Sequence, residues 1–316
     1  MKKNKALAVP FVLWAVLFIA VPLAMVVWYG VTVEETPAYV EVAGDNGQTL
    51  FQLEDGTVTA ERPQKQTVVS LANFRRMLEP TYLKLLLRSL KIALFTTIIC
   101  LLLGYPVALI LSGRDFKRPG LWLMLIILPM WMNFLLRTYS WMTILENNGL
   151  LNQLFQKIGL ISLYNHIFGT NLEYFSMMNT QGAVVLGMVY NYLPFMILPI
   201  YSVIIKLDHS LLEAARDLGA GSLTVFRRVI LPLSLPGVVS GITMVFVPSV
   251  STFAISRMLG GGTELLLGDL IERQFLGGAY NPQLGAAISL VMMIIVLVCM
   301  LVMNRFGEGE EQAVKL

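Results

Sequence analysis

The sequence predicts an all-α integral membrane protein with six transmembrane helices and a small external β-meander. The first observation behind this prediction is composition, because 56% of the 316 residues are hydrophobic and only 14% are charged. Soluble domains have about 45–50% apolar and about 25% charged residues, so this chain has too few charges to cover a water-exposed surface. The second observation is a series of long apolar runs, and the third is the placement of lysine and arginine between them.

Six apolar runs are long enough to cross a bilayer core, which needs about 20 residues in a helix. They are residues 6–29, 92–111, 121–145, 183–205, 236–256 and 284–303. The first run follows a lysine-rich start and could be mistaken for a signal peptide. Its apolar stretch is too long for one, and no small-residue cleavage site follows it closely. The first run is therefore predicted to be a retained span.

Basic residues give the orientation, because cytoplasmic loops of membrane proteins are enriched in lysine and arginine. The segments that this rule places in the cytoplasm hold 12 basic and 7 acidic residues, whereas the rest of the chain holds 11 basic and 13 acidic residues. Six spans then put both termini in the cytoplasm. The predicted parts are a tail and first span (1–30), an external segment (31–83), a five-span core (84–304) that includes the cytoplasmic loop 206–235, and a cytoplasmic tail (305–316).

The external segment predicts three short strands followed by a helix. Polar and apolar residues alternate at 39–42, 49–53 and 57–59, and turn signals at 44–47 and 55–56 separate these runs. This pattern is typical of a β-meander. Three short strands are marginally stable alone, so we expect the meander to pack on another part of the protein. The helix is predicted at 71–78.

Motifs of catalysis and of metal binding are missing from the sequence. There is no Gly-Lys dipeptide and hence no phosphate-binding loop of the Walker type. Neither His166 nor His209 has partners at metal-ligand spacing, and the two cysteines lie within apolar runs. A net charge of +3 is too small to indicate nucleic-acid binding. We therefore expect no catalytic residue, no metal and no cofactor held by this chain. Intramembrane carboxylates are nearly absent, which argues against the proton relays of secondary transporters.

The cytoplasmic loop 206–235 is the most informative segment. Ser210 and Glu213 have the spacing of a capping box that starts a short helix, and Gly219 stands where a left-handed residue ends it. Ser222 is predicted to cap a second helix that Pro232 limits, with both helices outside the bilayer. Leucine and alanine side chains of the first helix share one face. Spacing alone leaves open whether this face docks another protein or folds against the chain's own spans.

The loop resembles the EAA motif of ABC importer permeases, in which E-A-A is followed by a glycine and then by I-x-L-P. Here the motif reads Glu213-Ala214-Ala215, Gly219, and then Val229, Leu231 and Pro232, with valine in place of isoleucine. The resemblance implies the type I (MetI-like) importer permease fold and a coupling helix that docks on an ATPase subunit. The coupling residues that it implies are Glu213, Ala214, Ala215, Asp217, Gly219, Leu231 and Pro232.

The resemblance extends over about 89–302 and, within that family, is closest to spermidine/putrescine permeases. Residues 134–142, 148–152 and 190–199 carry it, together with Phe253 ahead of a glycine run. It implies import of polyamines across the bacterial plasma membrane, with a second homologous permease, two ATPase subunits that use ATP and Mg, and an external substrate-binding protein. The alternatives are the same assembly with ferric iron, thiamine, phosphonate or opine as cargo, a stand-alone secondary transporter or channel, and a membrane scaffold.

Six residues near the external ends of the third and fourth spans are candidates for the transport path. Their aromatic rings suit an alkyl-ammonium cargo through cation–π contacts, but an interfacial aromatic belt is the commoner reason for such a pattern. The one cation among them is a gate or docking residue, or a side chain that snorkels to the interface. The six are Trp131, Arg137, Tyr139, Trp141, Tyr190 and Tyr192.

Overall fold

The computed structural model describes residues 5–43, 49–53, 57–59, 64–113, 116–262, 264–278 and 280–311. The turn signals predicted at 44–47 and 55–56 lie outside these ranges. Within them, five helices are long and apolar enough to cross a membrane, or six if a helix pair bent by 93° counts as one span. The chain divides into two compact units, one of residues 1–83 and 270–294 and the other of residues 84–269 and 295–316.

The first span is a helix with a π-helical turn in its middle. It consists of α1 (Lys5–Ala15), the turn Val16–Ala20 and α2 (Val21–Gly30), in agreement with the predicted run 6–29. Its last residue is a glycine for a packing reason. A Cβ on Gly30 would lie 2.6 Å from Cδ1 of Leu290 and 3.4 Å from the Ala287 backbone nitrogen, so a larger residue would require the Leu290 side chain to shift.

The described part of the segment 31–83 contains five strands: β1 (Thr32–Glu35), β2 (Tyr39–Ala43), β3 (Thr49–Leu53), β4 (Val58–Thr59) and β5 (Gln66–Val69). Strands β2, β3 and β4 form the predicted antiparallel meander. The antiparallel pair β1–β5 was not predicted from the sequence, because it joins Thr32 to Val69 across more than thirty residues. The predicted helix follows as α3 (Ala72–Arg76), and its Asn73 donates a hydrogen bond of 3.1 Å to the Thr32 carbonyl.

The second span is longer than predicted and the third is broken. Helix α4 (Pro80–Leu111) begins twelve residues before the predicted run. The prediction of one continuous span at 121–145 is wrong. Helix α5 (Pro119–Ile127) passes into a 3₁₀ turn at Leu128–Trp131, and α6 (Phe134–Leu145) then starts in a new direction. The break occurs because Asn133 caps α6, accepting a 2.8 Å hydrogen bond from Leu135 N, and such caps compete with helix continuation.

The remaining elements that the structure describes are helices and helical turns. The elements are α7 (Leu150–Lys157), α8 (Leu160–Phe168), α9 (Gln181–Ile204), α10 (His209–Asp217), α11 (Ser222–Val225), a π-turn (Phe226–Ile230), α12 (Leu231–Ser251), α13 (Ala254–Leu259), α14 (Leu267–Leu276) and α15 (Pro282–Glu311).

The fifth span differs from its prediction at both ends. One continuous helix of 30 residues runs from Ser222 to Ser251, so Pro232 does not limit a separate cytoplasmic helix. Pro232 lies ten residues inside this helix, just after the π-turn Phe226–Ile230, where the wider hydrogen-bond spacing accommodates a residue without an N–H. Residues 222–235 of the predicted loop are thus continuous with the helix of the fifth span. At the other end the helix stops before Thr252, and Ser256 lies in the separate α13.

Small residues hold α9 and α12 together in the second unit. A Cβ on Gly241 would lie 2.8 Å from Sδ of Met196, and one on Gly237 would lie 2.9 Å from the Pro199 carbonyl. Buried side chains of α4, α9 and α12 form one core cluster around this contact. Such close approach through glycine is the usual way in which helices associate inside membranes.

Candidate functional site

The residue that caps the start of α10 is Asp208, not Ser210. The Asp208 carboxylate accepts a 2.9 Å hydrogen bond from the Ser210 amide, and the hydrogen bonds from Ser210 lower the pKa of that carboxyl. The predicted capping box of Ser210 and Glu213 is therefore wrong. With Asp208 as the cap, the third helical residue is Leu211, so Glu213 lies too far along the helix to take the capping role.

The end of α10 agrees with its prediction. Gly219 has φ of +81°, its N–H donates to the Arg216 carbonyl at 2.8 Å, and the Ala220 N–H donates to the Ala215 carbonyl at 3.0 Å. These two bonds form a Schellman motif, which needs a left-handed residue at this position. A Cβ on Gly219 would meet no atom within 4 Å. Glycine is therefore required here for its left-handed backbone conformation and not for lack of space around it.

Between these ends α10 presents apolar side chains to its surroundings. Leu211 is 49% exposed and Leu218 is 89% exposed, and Ala214 between them is also exposed. Glu213 and Asp217 are exposed on the same short helix. Leu211 and Leu218 therefore give this short segment an exposed apolar surface.

The remaining motif residues belong to the base of the fifth span. Leu231 and Pro232 are half-buried in the first turn of α12. Two residues on, Ser234 is hydrogen-bonded to the Tyr105 hydroxyl of α4 at 2.8 Å, and the Tyr105 ring packs edge-on against Phe226. The motif therefore joins an exposed helix, which carries Glu213 to Gly219, to the packed foot of a transmembrane helix.

Two of the six predicted path residues come together. The rings of Trp141 and Tyr190 pack edge-to-face with centroids 5.3 Å apart, and both line an apolar groove of about 650 Å³ along α4 and α9. Tyr192 shares a side-chain hydrogen bond with Thr252 instead. Trp131 and Tyr139 are 79% and 56% exposed. Arg137 is half-buried, and its Nε has no hydrogen-bond partner in the described part of the chain.

An external polar cluster was not predicted from the sequence. Arg88 of α4 forms a 3.2 Å ion pair with Glu264, and Gln181 at the start of α9 donates a 3.1 Å hydrogen bond to the same carboxylate. Ser89 accepts from the Leu267 amide at 2.7 Å. These bonds fix the segment that precedes α14. Their signal in the sequence is weak, because the partners are about 80 to 180 residues apart.

Sequence reasoning also missed Asn191, which lies between two of the predicted residues. Its side chain is 3% exposed, its Nδ2 donates a 2.8 Å hydrogen bond to the Gly187 carbonyl, and its buried Oδ1 has no partner among the described residues. An amide in the middle of an apolar run was the available signal.

Comparison with known proteins gives consistent matches. The family model of the binding-protein-dependent transport system inner membrane component matches residues 92–314. Over 249 residues the chain is 41% identical to the spermidine/putrescine transport system permease protein PotB of Escherichia coli (strain K12), covering 79% of this chain and 86% of that protein. Over 304 residues it is 36% identical to the protein of the same name from Salmonella typhimurium (strain SL1344), covering 96% and 93%.

A solved structure has a similar fold at low sequence identity. It is the bacterial alginate ABC transporter in complex with an alginate pentasaccharide-bound periplasmic protein. One of its chains matches with a TM-score of 0.67 and 15% identity, over 96% of this chain and 94% of that one.

Proposed function

We propose, from the premise that this chain belongs to the family of binding-protein-dependent transport system inner membrane components, that it is the membrane subunit through which an ATP-driven importer takes up polyamines. Membership and the similarity of fold confirm the predicted importer-permease fold. The chain is thus an inner-membrane permease subunit, and the cargo and the division of labour with its partners are the parts that we propose.

The cargo assignment rests on one observation, the identity of 36–41% over most of the chain with permeases named for spermidine and putrescine. The chemistry of the spans is compatible with it. Helices α4, α9 and α12 contain no aspartate or glutamate, so a polycation would meet weak rather than strong binding groups, and the Trp141–Tyr190 pair offers cation–π contacts.

The proposed assembly contains a second homologous permease, two ATPase subunits and an external binding protein. The ATPase subunits bind ATP and Mg, and this chain hydrolyses no ATP itself. Helix α10 docks on an ATPase subunit through Leu211, Ala214 and Leu218. Closure of the ATPase pair moves α10 and with it the foot of the fifth span, which opens the path to the outside. Both termini are cytoplasmic in this arrangement.

Uptake by the reconstituted assembly tests the proposal. The complex is purified with its second permease, ATPase subunits and binding protein and is placed in liposomes with ATP inside. We expect labelled spermidine or putrescine to accumulate only with ATP and the binding protein. Accumulation of iron, thiamine, a phosphonate or an opine instead would replace the cargo. Uptake driven by an ion gradient without ATP would contradict the importer class itself.

A further inference from the structure

Asn191 carries a hydrogen-bond acceptor that the fold leaves unused. The residue is 3% exposed, and buried polar atoms are normally paired because an orphaned one is costly. Its Nδ2 is paired with the Gly187 carbonyl at 2.8 Å, whereas its Oδ1 has no partner among the described residues.

The orientation of this amide is fixed by chemistry. A backbone carbonyl only accepts hydrogen bonds, so the Gly187 carbonyl requires the donor Nδ2 next to it. Flipping the amide would set two acceptors against each other and leave the donor unpaired. The oxygen must therefore point away from the Gly187 carbonyl.

Asn191 lies near the middle of the membrane. It is the eleventh residue of α9, which places it about 15 Å along a helix that rises 1.5 Å per residue. The hydrocarbon core is about 30 Å thick. Polar side chains at this depth either hydrogen-bond across helix interfaces or line the path of a transported solute.

The surroundings of Asn191 include interrupted helices. One turn earlier, a Cβ on Gly187 would lie 3.1 Å from Cγ2 of Ile255 in α13, and the next residue, Tyr192, is hydrogen-bonded to Thr252 in the break between α12 and α13. Three residues later Pro194 lacks an N–H, so the Tyr190 carbonyl loses its regular donor. Transporters place solute sites at such discontinuities near the midplane.

We propose that Asn191 is a binding residue in the transport path, with Oδ1 accepting a hydrogen bond from an ammonium group of the cargo. The identity of the cargo as an alkyl-ammonium rests on the proposed function. A neutral amide oxygen suits passage, because conduction requires a site that attracts the cation and also releases it. A carboxylate at this position would hold a polycation more strongly.

Thiol labelling tests whether a cation reaches this position. In a chain with Cys100→Ala and Cys299→Ala, the variant Asn191→Cys is assembled into the full importer and treated with 2-(trimethylammonium)ethyl methanethiosulfonate during ATP turnover. We expect labelling that spermidine slows at least fivefold. The control is Leu102→Cys, an exposed residue of α4 that does not line the apolar groove, and we expect it to stay unlabelled. Absence of labelling at position 191, or labelling that spermidine leaves unchanged, overturns the proposal.

Uptake by two further variants separates binding from structure. Asn191→Leu keeps the size of the side chain and removes the acceptor, so we expect at least a tenfold loss of spermidine uptake with stimulated ATP hydrolysis within twofold of the unmutated complex. Unchanged uptake overturns the proposal, and so does loss of ATP hydrolysis in a variant that assembles normally. Should Asn191→Cys or Asn191→Leu fail to assemble, the isosteric Asn191→Asp decides, because slower release should lower its uptake rate severalfold while ATP hydrolysis continues.

Uptake by the unmutated complex separates a failure of the proposed function from a failure of the proposed role of Asn191. If it takes up no spermidine with ATP, the proposed function fails. If it takes up spermidine normally but the Asn191 variants behave like it, only the binding role of Asn191 fails.

Discussion

Gly219 holds a left-handed backbone, at φ of +81°, at the end of α10. A β-branched residue there costs roughly 1–2 kcal/mol of backbone strain, although the space around it is open. We expect Gly219→Val to leave an inserted permease that co-purifies poorly with the ATPase subunits and loses most of its ATP-driven uptake. Gly219→Asn should lose much less, since asparagine tolerates this conformation.

Gly221 supplies the matched control for that experiment. It lies two residues away, has an ordinary φ of −66° and has the same open surroundings. Gly221→Val should therefore behave almost like the unmutated chain. Equal loss in both variants would point to steric hindrance at the docking surface, and normal uptake with Gly219→Val would contradict the coupling assignment of α10.

Asp208 and Ser210 give a second prediction at the start of the same helix. Asp208→Ala removes the carboxylate that caps α10 and should weaken ATPase binding, whereas Ser210→Ala keeps the amide that Asp208 binds and should have a much smaller effect. The capping-box assignment predicts the reverse order. Co-purification with the ATPase subunits measures both.

The pH dependence of this cap follows from its pKa. The carboxyl pKa is lowered in the fold, so the stabilisation is complete above the ordinary pKa of an aspartate and is lost only as the pH falls through the lowered value. ATPase binding should therefore not vary through this group between pH 6 and 8.

Elements of the external segment can be removed separately. The β1–β5 ladder ends at the pair Glu35 and Gln66, so replacing residues 36–65 with Asn-Gly would close it as a tight hairpin. We expect this variant to insert and to couple ATP hydrolysis normally, because the ladder and α3 remain. The measurements are the amount of the variant in the membrane and the ATPase activity of the complex that contains it.

Breaking the ladder gives the contrasting variant. Val68→Pro removes a backbone N–H from β5, and proline is excluded from paired strand positions. Val68→Pro should lower the amount of the protein in the membrane, whereas the meander replacement should not. A loss of protein in the meander replacement itself would show that the meander is structural.

The sequence was informative about elements where the signal is local. The lengths of the apolar runs predicted five of the spans, and the alternation of polar and apolar residues predicted the meander. Gly219 predicted the left-handed end of α10. The break at Asn133 was missed because apolar residues lie on both sides of it. The continuity of the fifth span with the helix that begins at Ser222 was missed because Pro232 was expected to end that helix. The pair β1–β5, the ion pair of Arg88 with Glu264 and the orphaned oxygen of Asn191 depend on contacts distant in sequence, which no periodicity encodes.

At the scale of the whole chain, the orientation is testable without its partners. The basic loops predict that both termini are cytoplasmic. Green fluorescent protein fused after Leu316 should fluoresce, whereas alkaline phosphatase at the same place should be inactive. Phosphatase fused within the external segment, after Val69, should be active. Reversed activities would invert the topology and remove α10 from the side where ATP is available.

The unbroken helix from Ser222 to Ser251 makes the fifth span a mechanical lever. Thirty residues at 1.5 Å each span about 45 Å, so tilting the rod by about 10° at its foot would sweep its far end through about 8 Å. That far end is the break before Thr252, the residue tied to Tyr192 beside Asn191. A small movement of the cytoplasmic end of the helix would therefore produce a larger displacement at mid-depth. The stiffness of the π-turn at Phe226–Ile230 would determine what fraction of that movement is transmitted.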